Sequence, residues 1–151
     1  LGQSIYLREI EAREEGAPPP VDLKAERLTG DCVRSLIDAG DLTACHDLSD
    51  GGLLMALAEM AMASGIGVTI TGEAADLPMH AWAFGEDQGR YLVTTKDVEK
   101  VLMTCLGAQL SAEAIGETGG EHLSFNGETI SVAELKDTHE SWLPDYMAAV
   151  E

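Results

Sequence analysis

The sequence predicts an α+β domain in which a mixed β-sheet is covered by helices, and three observations predict it. Short apolar or β-branched runs interleave with segments of helical spacing, but without the regular strand–helix beat of a fully parallel sheet. The stretch Gly51 to Ser64, "GGLLMALAEMAMAS", is apolar on nearly every side, as a helix buried all round would be. Asn126-Gly127 stands between two short strand-like runs, the strongest local signal of a tight hairpin.

The elements follow in order. Residues 1–20, "LGQSIYLREIEAREEGAPPP", open apolar, turn charged and end in three prolines that continue neither a helix nor a central strand. They read as a connector from a preceding domain with one docked segment, leaving 21–151 as the domain proper. From Val21 to Ala39, Leu28, Cys32 and Leu36 recur at helical spacing and Gly40 is placed as a stop, although Gly30 argues against an unbroken helix. "DLTACHD" reads as a strand leading into the apolar helix, which Gly65 and Gly67 end. "IGVTITG" and "RYLVTT" read as strands, with "EAADLPMHAWAFGEDQG" as a long connection between them. A helix is expected over Asp97 to Leu106, with Thr95 or Asp97 as its N-cap. "LSAEAIGETGG" suggests a further strand, and "HLSFNG" with "ETISV" a hairpin. The tail from Val132 to Met147 carries Leu135, Trp142, Leu143 and Tyr146 and is expected to break at Pro144.

Composition narrows the function. The chain has 151 residues, enough for one domain with a sizeable core, and 45% of them are hydrophobic. Nine basic against 27 acidic side chains give a net charge of −18, and the acids are spread along the chain. Nucleic acid is excluded as a partner, because phosphate backbones are bound by clustered Lys and Arg. An anionic metabolite binds such a chain only where a helix N-terminus, a local cation or a divalent metal reverses the sign. The three cysteines, Cys32, Cys45 and Cys105, lie far apart, which supports neither a disulfide framework nor a zinc site and points to a reducing, cytoplasmic setting. No run approaches the roughly 20 apolar residues that cross a bilayer, so no membrane role is expected. The chain begins with Leu1, as an excised piece of something longer would.

Two short stretches carry the chemistry. In "HDLSDGG", His46 to Gly52, a strand ends and a glycine turn opens a helix, so unpaired backbone N–H groups gather at the positive end of a helix dipole. Either Ser49 or Asp50 caps the helix with its own oxygen, or Gly51 and Gly52 let a phosphate approach the backbone. Asp47 and Asp50 would repel a bare phosphate but accept one carried with Mg²⁺, whose protein ligands are commonly one or two carboxylates. Spacing leaves both readings open, with Asp47 and Asp50 as the weak metal candidates. In "FGEDQGRYLV", Gly85 and Gly89 bracket a polar loop ending in Arg90, which either recognises a phosphate or carboxylate or pairs with a neighbouring acid. No residue is assigned a catalytic role. His46 reads as a hydrogen-bonded histidine at a strand end, and His80, His122 and His139 as surface residues. Cys45 and His46 point to opposite faces of their strand. Met55, Met60 and Met62 read as core or subunit interface.

"ACHDLSDGGLLMALAEMA" resembles the "HDxSDGGLxxALAEMA" motif of the C-terminal domain of the phosphoribosylformylglycinamidine synthases, in the AIR synthase superfamily. "LGQSIYL", "GEDQGRYLV", "IGETGG" and "ELKDTHESWLPDYM" resemble the same family in the same order, so the likeness spans essentially the whole chain. The resemblance implies an AIR synthase C-terminal domain-like fold. It also implies a ligase that uses ATP and Mg²⁺ to activate the formamide oxygen of formylglycinamide ribonucleotide as an iminophosphate, which ammonia from glutamine displaces. The ammonia would come from a separate glutaminase subunit, with a small bridging subunit completing the complex beside the small form of the synthetase chain. The general base, the ATP-contacting lysine and the principal Mg²⁺ acids would lie on preceding domains, so this piece alone would not be catalytic. What carries over is the corner Asp47, Ser49, Asp50, Gly51 and Gly52, which in the superfamily faces a cleft between domains. Two other readings stand beside this one: a domain of a selenophosphate synthetase or thiamine-monophosphate kinase, and a scaffold module whose glycine corner only caps a helix.

Overall fold

The computed structural model describes residues 1–72, 74 and 77–149. The chain divides into two compact units, Leu1–Ala56 with Glu73–Ala114 and Leu57–Gly72 with Ile115–Glu151.

In the first unit a π-helical turn, Tyr6–Ile10, follows Ser4, which is 2% exposed and whose hydroxyl accepts the Leu7 N–H. Tyr6 stacks on Phe84 with ring centroids 4.9 Å apart. Helix α1, Leu23–Asp38, starts at Asp22, whose carboxylate accepts from Lys24 and Ala25 N–H at 3.0 Å each. It runs unbroken through Gly30. A Cβ at Gly30 would meet only the Tyr91 hydroxyl, at 3.7 Å, so the glycine marks no break and its propensity cost of about 1 kcal/mol is outweighed by the cap and by buried Cys32 and Leu36. Strand β1, Ala44–Asp47, pairs antiparallel with β3, Tyr91–Thr94, in the register Ala44↔Thr94 to Asp47↔Tyr91. Helix α4, Val98–Gly107, is capped by Asp97 through the Lys100 N–H. Its Val101 closes a small core with Cys32 and Leu36, flanked by Leu42, Cys105 and Leu110. The connection before β3 contains a helix that the sequence pattern does not announce. This is α3, Met79–Phe84, a six-residue helix too short for periodicity to reveal, burying Trp82 and Ala83. Residues 73, 75 and 76 of that stretch lie outside the described residues.

Helix α2, Gly52–Ser64, starts in the first unit and ends in the second. Its buried residues include Leu53, Ala56, Leu57, Ala58 and Ala61; Met60 and Met62 are half-buried and Met55 is 46% exposed. In the second unit a four-stranded sheet has the order β4-β2-β5-β6, with β2 spanning Val68–Ile70, β4 Gly116–Thr118, β5 His122–Phe125 and β6 Glu128–Ser131. Strands β2 and β5 are parallel and the other pairs antiparallel, so the sheet is mixed, as the sequence predicts. Phe125↔Glu128 closes the hairpin around Asn126 and Gly127, whose φ values of 50° and 83° are those of a type I′ turn. Gly67 admits no side chain, since a Cβ there would lie 2.3 Å from the His122 carbonyl oxygen. Helix α5, Val132–Ala148, is capped by Ser131 and continues through Pro144 instead of breaking there. So near the C-terminal end, the missing N–H forfeits one hydrogen bond and the turn that follows still closes, through Ala149 N–H to the Asp145 carbonyl.

Candidate functional site

Pairing β1 with β3 in antiparallel register sets the end of one strand beside the start of the other, and this brings the two chemically marked loops together. The ladder continues one step past the strand, with the Leu48 N–H donating to the Arg90 carbonyl at 2.9 Å. Asp47, Ser49 and Asp50 from one loop and Glu86, Gln88, Gly89 and Arg90 from the other line one depression of about 380 Å³, together with Glu26 of α1 and residues of the N-terminal segment.

The glycine doublet is required by the backbone itself. Gly51 and Gly52 have φ of 77° and 65°, a left-handed pair that other residues adopt at a cost. A Cβ on Gly52 would lie 2.6 Å from the Gly85 carbonyl oxygen and 2.8 Å from the Phe84 carbonyl carbon. The space that the missing Cβ leaves at Gly52 is therefore filled by the second loop rather than left open for a phosphate.

At the helix start two backbone N–H groups have partners that spacing does not reveal. The Gly51 N–H donates to Glu86 Oε1 at 2.9 Å, and the Gly52 N–H to the Ser49 carbonyl at 3.0 Å. The acid that takes the Gly51 N–H, one residue before the helix, is Glu86, 35 residues away. Glu86 Oε1 also accepts the Ile5 N–H at 2.9 Å, tying the N-terminal segment to the same point. Gly51 and Gly52 are buried, while Asp47, Ser49 and Asp50 are exposed to the depression.

Arg90 is half-buried; its Nη1 donates to the Gly85 carbonyl at 3.2 Å and lies 3.7 Å from Asp87 Oδ2. It pairs within its own loop, the second of the two outcomes its surroundings suggest. His46 Nδ1 contacts the Asp47 carbonyl oxygen at 2.6 Å, anchored at the strand end. Exposed His80 lies 6.0 Å from the Tyr6 ring in a stacked arrangement. Glu26 adds an acid that spacing does not reveal: its Oε1 is buried without a hydrogen-bond partner, and its Cγ would lie 3.1 Å from a Cβ at Gly89. The Cys45 thiol is raised above its ordinary range by burial and then by the Asp47 charge.

The donor set fits Mg²⁺ only in its substrate-bridging form. Among the described residues no three His, Cys, Asp or Glu side chains come close enough to hold a metal, so a resident all-protein site is absent there. One or two carboxylates with phosphate and water oxygens remain compatible with Asp47 and Asp50.

The chain matches the family described as AIR synthase related protein, C-terminal domain, over residues 1–126. It belongs to that family. A phosphoribosylformylglycinamidine synthase subunit PurL from Bradyrhizobium sp. (strain ORS 278) is 57% identical over 150 residues, which is 97% of this chain and 20% of that protein. The PurL subunit of Parvibaculum lavamentivorans is 56% identical over 154 residues, 99% of this chain and 21% of that protein. The chain thus spans about a fifth of the length of its curated relatives. Among solved structures, T. maritima PurL complexed with FGAR superposes with a TM-score of 0.70 at 18% identity, covering 82% of this chain and 23% of that one. T. maritima PurL complexed with ATP gives a TM-score of 0.66 at 18% identity, over 89% and 24%. At these identities the structures establish the AIR synthase-type fold. No helix among the described residues is long and apolar enough to cross a membrane.

Proposed function

We propose that the chain is the C-terminal domain of a phosphoribosylformylglycinamidine synthase. This ATP-dependent ligase makes formylglycinamidine ribonucleotide from formylglycinamide ribonucleotide and ammonia derived from glutamine, in purine biosynthesis. The observation that carries the reading is 57% identity to a PurL subunit across 97% of the chain. Residues 1–20 serve as the connector from the preceding domain and 21–151 as the domain proper. The role of the domain is to supply a wall of the ligand cleft. Asp47, Ser49 and Asp50 present oxygens to it, Gly51 and Gly52 let the loop turn tightly enough to do so, and Arg90 supplies the one guanidinium among these six residues. Asp47 and Asp50 would hold Mg²⁺ together with nucleotide phosphates, and the ion would supply the charge neutralisation that these acids cannot. The chemical step itself belongs to preceding domains of a longer polypeptide.

The partners are those domains, a glutaminase subunit and a small bridging subunit, in the cytoplasm. The fold match to the structure of PurLQS from Thermotoga maritima, with a TM-score of 0.64, supports that assembly. The test is ADP release by the full-length gene product supplied with ATP, Mg²⁺, ammonium and formylglycinamide ribonucleotide. Release that requires the ribonucleotide is the expected result; release indifferent to it would overturn the reading.

A further inference from the structure

We propose that Glu86 is a positioning residue that fixes the Asp47–Gly52 loop by accepting the backbone N–H of Gly51, the residue just before α2, together with that of Ile5. The proposal rests on the reading of that loop as a wall of the ligand cleft. One carboxylate oxygen, Glu86 Oε1, accepts two backbone N–H groups at 2.9 Å, from Gly51 and from Ile5. A carboxylate that accepts backbone N–H groups beside a helix start is favoured both by the charge-assisted bonds and by the helix dipole. The loop that delivers it is closely packed. A Cβ at Gly85 would lie 2.5 Å from the Ala81 carbonyl oxygen, and Gly85 in turn blocks any side chain at Gly52.

Two consequences follow for a ligand. The Gly51 N–H is already satisfied, so a phosphate carried with Mg²⁺ on Asp47 and Asp50 would be met by the Ser49 hydroxyl and the Arg90 guanidinium rather than by that N–H. The placement of those side chains depends on an acid 35 residues distant that never needs to touch the ligand.

The test compares Glu86→Ala and Glu86→Gln in the full-length gene product. Steady-state kinetics with ATP varied should show KM for ATP raised about tenfold in Glu86→Ala with kcat changed less than about threefold. Glu86→Gln should stay within about threefold of wild type, since its amide oxygen can accept the same two N–H groups. Added acetate should lower the KM of Glu86→Ala and leave wild type unaffected. An unchanged KM in Glu86→Ala, or equal damage in both variants, would overturn the proposal. Hydrogen exchange provides a readout independent of turnover. Peptides containing residues 5 and 51 should lose protection together in Glu86→Ala and keep it in Glu86→Gln, and unchanged protection in Glu86→Ala would contradict the proposal. If Glu86→Ala is insoluble, loss of protection in Glu86→Gln overturns it. A wild-type protein without ribonucleotide-dependent ADP release would sink the functional reading, while the exchange result would still decide the role of Glu86.

Discussion

Gly52 and Gly65 share a left-handed backbone, with φ of 65° and 70°, yet differ in what surrounds them. A Cβ on Gly52 meets the backbone of Phe84 and Gly85, whereas one on Gly65 meets nothing within 4 Å. Gly65→Ala should therefore cost only the left-handed strain, about 1 kcal/mol. Gly52→Ala should cost about 3 kcal/mol or more, because the second loop must also move. Denaturant unfolding of the two variants checks the difference; equal losses would mean that the contact with Phe84–Gly85 is not part of the folded state. Glycines at the corner were legible in the sequence, but their purpose was not. A sequence shows that a Cβ is missing, while only the pairing of β1 with β3 shows that Gly85 takes the vacated space. Glu86 was hidden for the same reason, since a partner for a backbone N–H in a turn is sought within a few residues and this one comes from 35 residues away.

Elements were predicted well where a local signal agreed with the tertiary context. The Asn126-Gly127 hairpin and the mixed sheet are of this kind, and Asp97, one of the two cap candidates, caps the helix that follows it. Gly30 and Pro144 misled because each is a local breaker outvoted by its helix, and α3 was missed because six residues hold too few turns to display a period. Asp22 provides a direct check on α1: Asp22→Ala removes the carboxylate oxygen that accepts two N–H groups and should cost about 1 kcal/mol. The packing of α1 on α4 has a pH signature. Burial pushes the Cys105 thiol above its ordinary range, and neighbouring Cys32 adds to this. The fold thus favours the neutral thiol, so its contribution is fully present below the unfolded thiol pKa of about 8.5 and is lost as pH rises through the higher folded value. Stability should be level from pH 7 to 8 and fall above about 9, with a shallower fall in Cys105→Ser; thermal melts across that range decide it. Alkylation at neutral pH should reach exposed Cys45 before buried Cys32, as peptide mapping would show.

At the scale of the molecule, charge dominates. With 27 acids against nine basic residues, the folded chain repels itself, and raising NaCl from about 0.05 to 0.5 M should raise its melting temperature by a few degrees. A fall would mean that ion pairs such as Lys100–Asp41, at 2.5 Å, outweigh the general repulsion. The same charge makes the meeting of Asp47, Asp50, Glu26 and Glu86 around one depression meaningful, because an anionic ligand enters such a site only with a cation. The measurement that tests this most directly is calorimetric titration of ATP, with and without Mg²⁺, into the full-length gene product and its Asp47→Ala/Asp50→Ala variant. Binding that requires Mg²⁺ and weakens about tenfold in the variant, at unchanged melting temperature, is the predicted result. Affinity for Mg²⁺-ATP that is the same in both proteins would contradict the assignment of this corner to the ligand cleft.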